Sequence, residues 1–169
     1  DIYNSHHVLT GKFSDPSFFS PHVPGFDIYN ALTGVAVDPQ GNCYVSHQAD
    51  TGGGEVVEFP GCKPANRGKV LGGPHPWSPG KAQFDQAGNL FISDYSFGGY
   101  YRNEYIAVYA PPYDKPATKT FPLYGPPIAC PLSTDQKHVY CANYINGTVD
   151  VYTYPVGRYI YSFNNGLQT

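Results

Sequence analysis

Three short stretches rich in Val and Tyr, Glu55-Val56-Val57-Glu58-Phe59, Tyr105-Ile106-Ala107-Val108-Tyr109 and Thr148-Val149-Asp150-Val151-Tyr152, predict strands, and in the last of them polar and apolar side chains alternate with a period of two. That period sends successive side chains to opposite faces of an extended chain, and all three stretches are expected as half-buried strands. Each is preceded by a pattern of the same kind. Gly34-Val35-Ala36-Val37-Asp38-Pro39-Gln40-Gly41-Asn42-Cys43-Tyr44-Val45-Ser46-His47 matches Lys81-Ala82-Gln83-Phe84-Asp85-Gln86-Ala87-Gly88-Asn89-Leu90-Phe91-Ile92-Ser93-Asp94 turn for turn. A third copy runs from Pro127 to Asn143, three residues longer than the other two, and the positions Val35, Ala82 and Ile128 lie 47 and then 46 residues apart. Self-similarity at this spacing marks repeated supersecondary units.

Each copy predicts a strand, a tight polar turn at 39–42, 86–89 or 134–137, a second strand, a longer loop and one of these stretches as third strand. Fourth, outer strands follow at Gly68-Lys69-Val70-Leu71, Lys119-Thr120-Phe121-Pro122-Leu123 and Arg158-Tyr159-Ile160-Tyr161-Ser162-Phe163. Pro122 fits an edge strand, which can spare an amide donor. The fold class expected is therefore all-β: three four-stranded antiparallel units over residues 32–169, with residues 1–31 as an extended segment, a partial unit or an exchanged strand. Within residues 1–31, Asp1-Ile2-Tyr3-Asn4 recurs as Asp27-Ile28-Tyr29-Asn30.

Four such antiparallel strands per repeat, joined by Gly/Pro-rich crossings, follow the grammar of a propeller blade. Residues 34–47 and 81–94 resemble the NHL-like β-propeller repeats, and Leu132-Ser133-Thr134-Asp135-Gln136-Lys137 before Val139-Tyr140-Cys141-Ala142-Asn143 is similar to the YVTN-like variant. The resemblance covers about residues 32–167. It implies a ring of about six blades in complete members, of which three are present here, so the ring is incomplete within one chain. An open arc exposes apolar faces and unpaired edges, and the expectation is that further copies of the chain cover them as a homo-oligomer or a filament.

Composition narrows the partners. Ten Lys and Arg against thirteen Asp and Glu give a net charge of -3, and the basic residues are scattered, so neither nucleic acid nor an anionic membrane surface is expected as a partner. No apolar run approaches the ~18 residues of a membrane span. Sixteen Tyr and ten Phe suit strands and buried interfaces. The absence of Met and the opening at Asp1 point to a processed, exported chain, and secreted or cell-surface localisation is the expectation.

The four cysteines fall in two hairpins, and opposed positions on neighbouring antiparallel strands predict the disulfides Cys43–Cys62 and Cys130–Cys141. The sequon Asn146-Gly147-Thr148 is a candidate glycosylation site. His47, Asp94 and Asn143 end the second strand of each copy and are weak candidates for a calcium or zinc site, by analogy with the propeller lactonases and amidating lyases this repeat resembles. Bonding the turn that follows is the preferred role for them, and no cofactor is expected. Asp38 and Asp85 are placed to accept the amides of their tight turns, and the His6-His7 pair is assigned to a solvated terminal strand. Trp77, Tyr95, Tyr100 and Tyr101 are candidate interface residues.

No catalytic motif is present, and no catalytic residue is assigned. The leading expectation is a non-enzymatic, extracellular, self-assembling structural protein. A metal-dependent propeller hydrolase, lactonase or lyase is the alternative. An adhesin or carbohydrate-binding module, with carbohydrate as partner, is a further one.

Overall fold

The computed structural model describes residues 2–3, 5–11, 31–48, 54–63, 68–71, 79–94, 104–143 and 145–164. Apart from a single 3-10 turn at Pro60–Cys62, regular structure among them is all strand. A first hairpin pairs β1 (Ile2–Tyr3) with β2 (Leu9–Gly11). Three larger antiparallel sheets follow in chain order. The first contains β3 (Ala31–Val37), β4 (Cys43–Gln48), β5 (Glu55–Phe59) and β6 (Lys69–Val70). The middle one contains β7 (Pro79–Phe84), β8 (Leu90–Asp94), β9 (Tyr105–Tyr109) and β10 (Lys119–Pro122). The third contains β11 (His138–Asn143), β12 (Thr148–Thr153) and β13 (Tyr159–Phe163).

The third sheet departs from the four-strand expectation. Its anticipated first strand makes only isolated bridges to β11, Pro127 opposite Asn143 and Leu132 opposite Val139. Pro127 and Pro131 supply carbonyls but no amide donors, so the ladder is carried by scattered bonds such as Ile128 N–H to the Ala142 carbonyl and Tyr140 N–H to the Pro131 carbonyl. Residues 12–30, including the second Asp-Ile-Tyr-Asn copy, lie outside the described residues.

The tight turns fold as their side chains dictate. Asp38 Oδ1 accepts the amides of Gln40 and Asn42 at 2.9 and 2.8 Å, while the Asn42 side chain donates to Oδ2 at 2.8 Å. Asp85 does the same for Asn89, through the amide at 2.7 Å and the side chain at 2.8 Å. Both turns then need a left-handed residue, supplied by Gly41 (φ 83) and Gly88 (φ 79). Gln136 takes that conformation in the third copy (φ 56), and its Oε1 accepts the Gln86 amide at 2.8 Å, tying the third turn to the second.

Consecutive sheets pack face to face. Register places Ala36, Tyr44 and Glu58 on one face of the first sheet, and Val35, Val37, Cys43, Val45, Val57 and Phe59 on the other. Ala36, Tyr44 and Val56 join Ala82, Leu90, Ile92, Ala107 and Tyr109 of the middle sheet in one apolar core. The opposite face of the middle sheet, Phe91, Ile106, Val108 and Phe121, forms a second core with Val139, Cys141 and Tyr152 of the third. Backbones approach closely where β3 meets β7. A Cβ on Gly34 would sit 3.0 Å from Lys81 Cα, and Ser46 Oγ donates to the Gly80 carbonyl at 2.8 Å. The middle sheet is thus packed between its two neighbours, while the far faces of the first and third sheets are buried at their centres, at Val45, Val57 and Phe59 and at Val151, and exposed along β3 and β13.

Both disulfides form as paired in the sequence. Cys130–Cys141 joins the irregular segment to β11. Cys43 lies opposite Phe59 in the ladder, and it is the turn at Pro60–Cys62, with Gly61 at φ 60, that brings Cys62 back to it.

Candidate functional site

His47, next to last on β4, and Asp94 and Asn143, which end β8 and β11, occupy equivalent positions in the three copies and are all buried. Their surroundings differ. Register sets Glu55 opposite His47, Tyr105 opposite Asp94 and Thr148 opposite Asn143. Burial, and then the charge and hydrogen bonding of Asp94, push the Tyr105 hydroxyl well above the ordinary tyrosine range. Tyr109 is pushed up to about 12 by burial and the same carboxylate. Asn143 accepts the Asn146 amide at 3.2 Å and donates to Asp150 Oδ2 at 3.0 Å, so it bonds the turn that follows it. Among the described residues no three His, Cys, Asp or Glu side chains converge as metal ligands.

The far faces of the first and third sheets are apolar, buried over their central strands and exposed along β3 and β13. On the first, Val35 and Val37 are 56% and 57% exposed beside the buried cluster of Cys43, Val45, Val57 and Phe59. On the third, register aligns Tyr140, Val151 and Tyr161 on one face, with Val149 opposite Phe163. Tyr161 and Phe163 are 49% and 42% exposed. The two faces are of complementary kinds. Cys43 and Val45 on β4 occupy the places that Leu90 and Ile92 hold on β8 and Val139 and Cys141 on β11, and in those two sheets this face receives the sheet before it. The outward face of the third sheet corresponds to the middle-sheet face that receives the next.

A cleft of about 500 Å³ lies between the segment following β10 and the β12–β13 edge, lined by Tyr124, Asn146, Thr148, Asp150, Tyr159 and Ser162. Sequence reasoning missed it. It depends on Tyr124, in the connection between sheets, meeting Tyr159 on β13, and no local spacing links the two. Asn146, the sequon residue, is exposed in the β11–β12 turn at its margin. Trp77, Tyr95, Tyr100 and Tyr101 lie outside the described residues. His6 and His7 are exposed in the turn between β1 and β2.

These features define an all-β protein of repeated antiparallel sheets stacked in chain order, with two intrachain disulfides that fit an oxidising environment. Among the described residues no helix is long and apolar enough to cross a membrane. No protein-family model matches the chain, and no curated protein matches it. Among solved structures it is similar to the hydrazine synthase of Kuenenia stuttgartiensis, with a TM-score of 0.57 and 15% identity. The match covers 83% of this chain and 38% of that one. At this identity the likeness concerns the fold alone.

Proposed function

We propose that this chain is an arc of β-propeller-type blades that works by assembly, as a non-enzymatic extracellular structural subunit whose flanks are covered by further copies of itself. The observation that carries the reading is the pair of exposed apolar strips on the far faces, Val35 and Val37 on β3 and Tyr161 and Phe163 on β13. The third sheet of one copy, docked on the first sheet of another, repeats the relation that already joins the first sheet to the middle one and the middle one to the third. Such a contact is heterologous: it closes into a ring where the rotation allows and propagates as a filament where it does not. Removing Val35, Val37, Tyr161 and Phe163 from water supplies the drive. The two disulfides favour an oxidising, extracellular setting.

Light scattering coupled to size-exclusion chromatography tests the proposal. The wild-type chain is expected at a multiple of 18.5 kDa. The double variant Val35→Glu/Val37→Glu disables the first-sheet flank, and Tyr161→Glu/Phe163→Glu disables the third-sheet flank. Each is expected to be monomeric alone, while an equimolar mixture forms a dimer through the one intact flank on each. A monomeric wild type at every concentration, or variants that assemble unchanged, would falsify the proposal.

A further inference from the structure

The cleft beside Tyr124 is independent of the outward flanks. Tyr159 lies opposite Tyr152, on the face of the third sheet that looks toward the middle sheet, whereas Tyr161 and Phe163 look away. Tyr124 is 71% exposed. Its backbone amide donates to the Tyr152 hydroxyl at 3.0 Å, its ring runs near-parallel to that of Tyr152 with 6.5 Å between centroids and 21° between the planes, and the Tyr159 ring meets it edge-on at 4.9 Å. A large aromatic face braced on one side by Tyr159 is thereby presented to solvent.

Polar groups border that face. Asp150 is buried and accepts three hydrogen bonds: Oδ1 from Thr148 Oγ1 at 2.9 Å and Ser162 Oγ at 2.6 Å, and Oδ2 from Asn143 at 3.0 Å. Ser162 Oγ also lies 2.8 Å from the Tyr159 hydroxyl. The carboxylate therefore orients a row of hydroxyls rather than offering bare charge. Neutral hydroxyl and amide groups, from Tyr159, Ser162, Thr148 and Asn146, are what a ligand meets. The lining holds no Lys or Arg to attract an anion, and its one carboxylate is buried and already accepts three hydrogen bonds, which disfavours a cation.

We propose that this cleft is a carbohydrate-binding subsite, with the apolar ring face of a neutral pyranose stacked on Tyr124 and its hydroxyls bonded to Tyr159, Ser162, Thr148 and Asn146. An amphipathic ligand with one apolar face and a hydroxylated rim matches an exposed ring flanked by neutral donors and acceptors. The volume is within the range of small-molecule clefts. The contact needs no second copy of the chain, since every group named belongs to one molecule.

Saturation-transfer NMR on protein made without N-glycosylation, so that Asn146 is bare, supplies the test, with cellotriose, chitotriose and mannotriose as probes. At least one is expected to bind saturably with a millimolar Kd. Tyr124→Ala should weaken that binding roughly tenfold or more. Tyr124→Trp should retain it, which separates loss of the aromatic face from loss of the fold, and Tyr161→Ala on the opposite face should leave it unchanged. Failure of all three probes to bind, equal binding by Tyr124→Ala, or displacement of the sugar by choline would overturn the proposal. Assembly is read on the same variants by light scattering, so the outcome for the cleft is distinct from the outcome for the flanks.

Discussion

Asp85 bends the chain between β7 and β8 with both carboxylate oxygens engaged, and Oδ2 also accepts the Tyr154 hydroxyl, arriving from the third sheet, at 2.7 Å. Burial works to raise its pKa, but the hydrogen bonds of Asn89 and Tyr154 and the backbone amides outweigh burial and hold it below the ordinary 3.8. A carboxylate depressed in the folded state stabilises above its unfolded pKa, and that contribution is lost as pH falls through 3.8 toward the folded value. Asp85→Ala is expected to cost about 2–3 kcal/mol in urea melts at neutral pH, and to flatten the acid limb of stability below about pH 4. The tyrosines behave in the opposite sense. Burial first, then neighbouring carboxylates, push Tyr109 and Tyr152 up to about 12. Their contribution is whole below the ordinary value of 10.0 and is lost as pH rises toward 12. Tyrosinate absorbance should therefore rise in two stages, the second coinciding with loss of circular dichroism. Gly157 is a third fixed point. It sits at φ 77, and an added Cβ would run into the Phe121 side chain, so Gly157→Ala is expected to destabilise by about 2–3 kcal/mol in the same melts.

At the scale of elements, local pattern was enough wherever neighbours in sequence settle the conformation. The stretches at Glu55–Phe59 and Tyr105–Tyr109 are β5 and β9 to the residue, but β9 is buried on both faces rather than half-buried, because a sheet packs on each side of it. Asp38 and Asp85 were legible as turn residues because their partners lie within four positions. The first strand of the third sheet was misread, since apolar pattern at 127–132 does not register the two prolines that deprive it of donors. The cleft was invisible because Tyr124 and Tyr159 are brought together only by packing between sheets. The disulfides also belong to this scale. With separations of 19 and 11 residues, each constrains one short loop and contributes roughly 3 kcal/mol by loop entropy. Reduction should lower the melting temperature measured by calorimetry, and the paired variant Cys130→Ala/Cys141→Ala should reproduce part of the drop.

Across the whole molecule, all three sheets hold fully buried residues, and exposed apolar side chains lie on the flanks. Phe91 and Ile106, on the middle sheet, are enclosed, whereas Val37 on the first sheet is mostly in water. Phe91→Ala should cost about 3–5 kcal/mol at any protein concentration. Val37→Ala should cost about 0.5 kcal/mol or less in dilute solution. If copies dock flank to flank, its penalty grows with concentration, because binding energy then enters the melt. A concentration series of thermal melts on the two variants separates a residue that supports the subunit from one that supports the assembly.

The cross-links have one more consequence, for the chain's fate after cleavage. Both cystine bridges close within single repeats, and neither spans the stretch from residue 63 to residue 129. A protease that nicks the backbone anywhere in that stretch leaves the halves joined by non-covalent packing alone. On a denaturing gel without reductant the halves would part, although the nicked protein in native buffer still migrates as one.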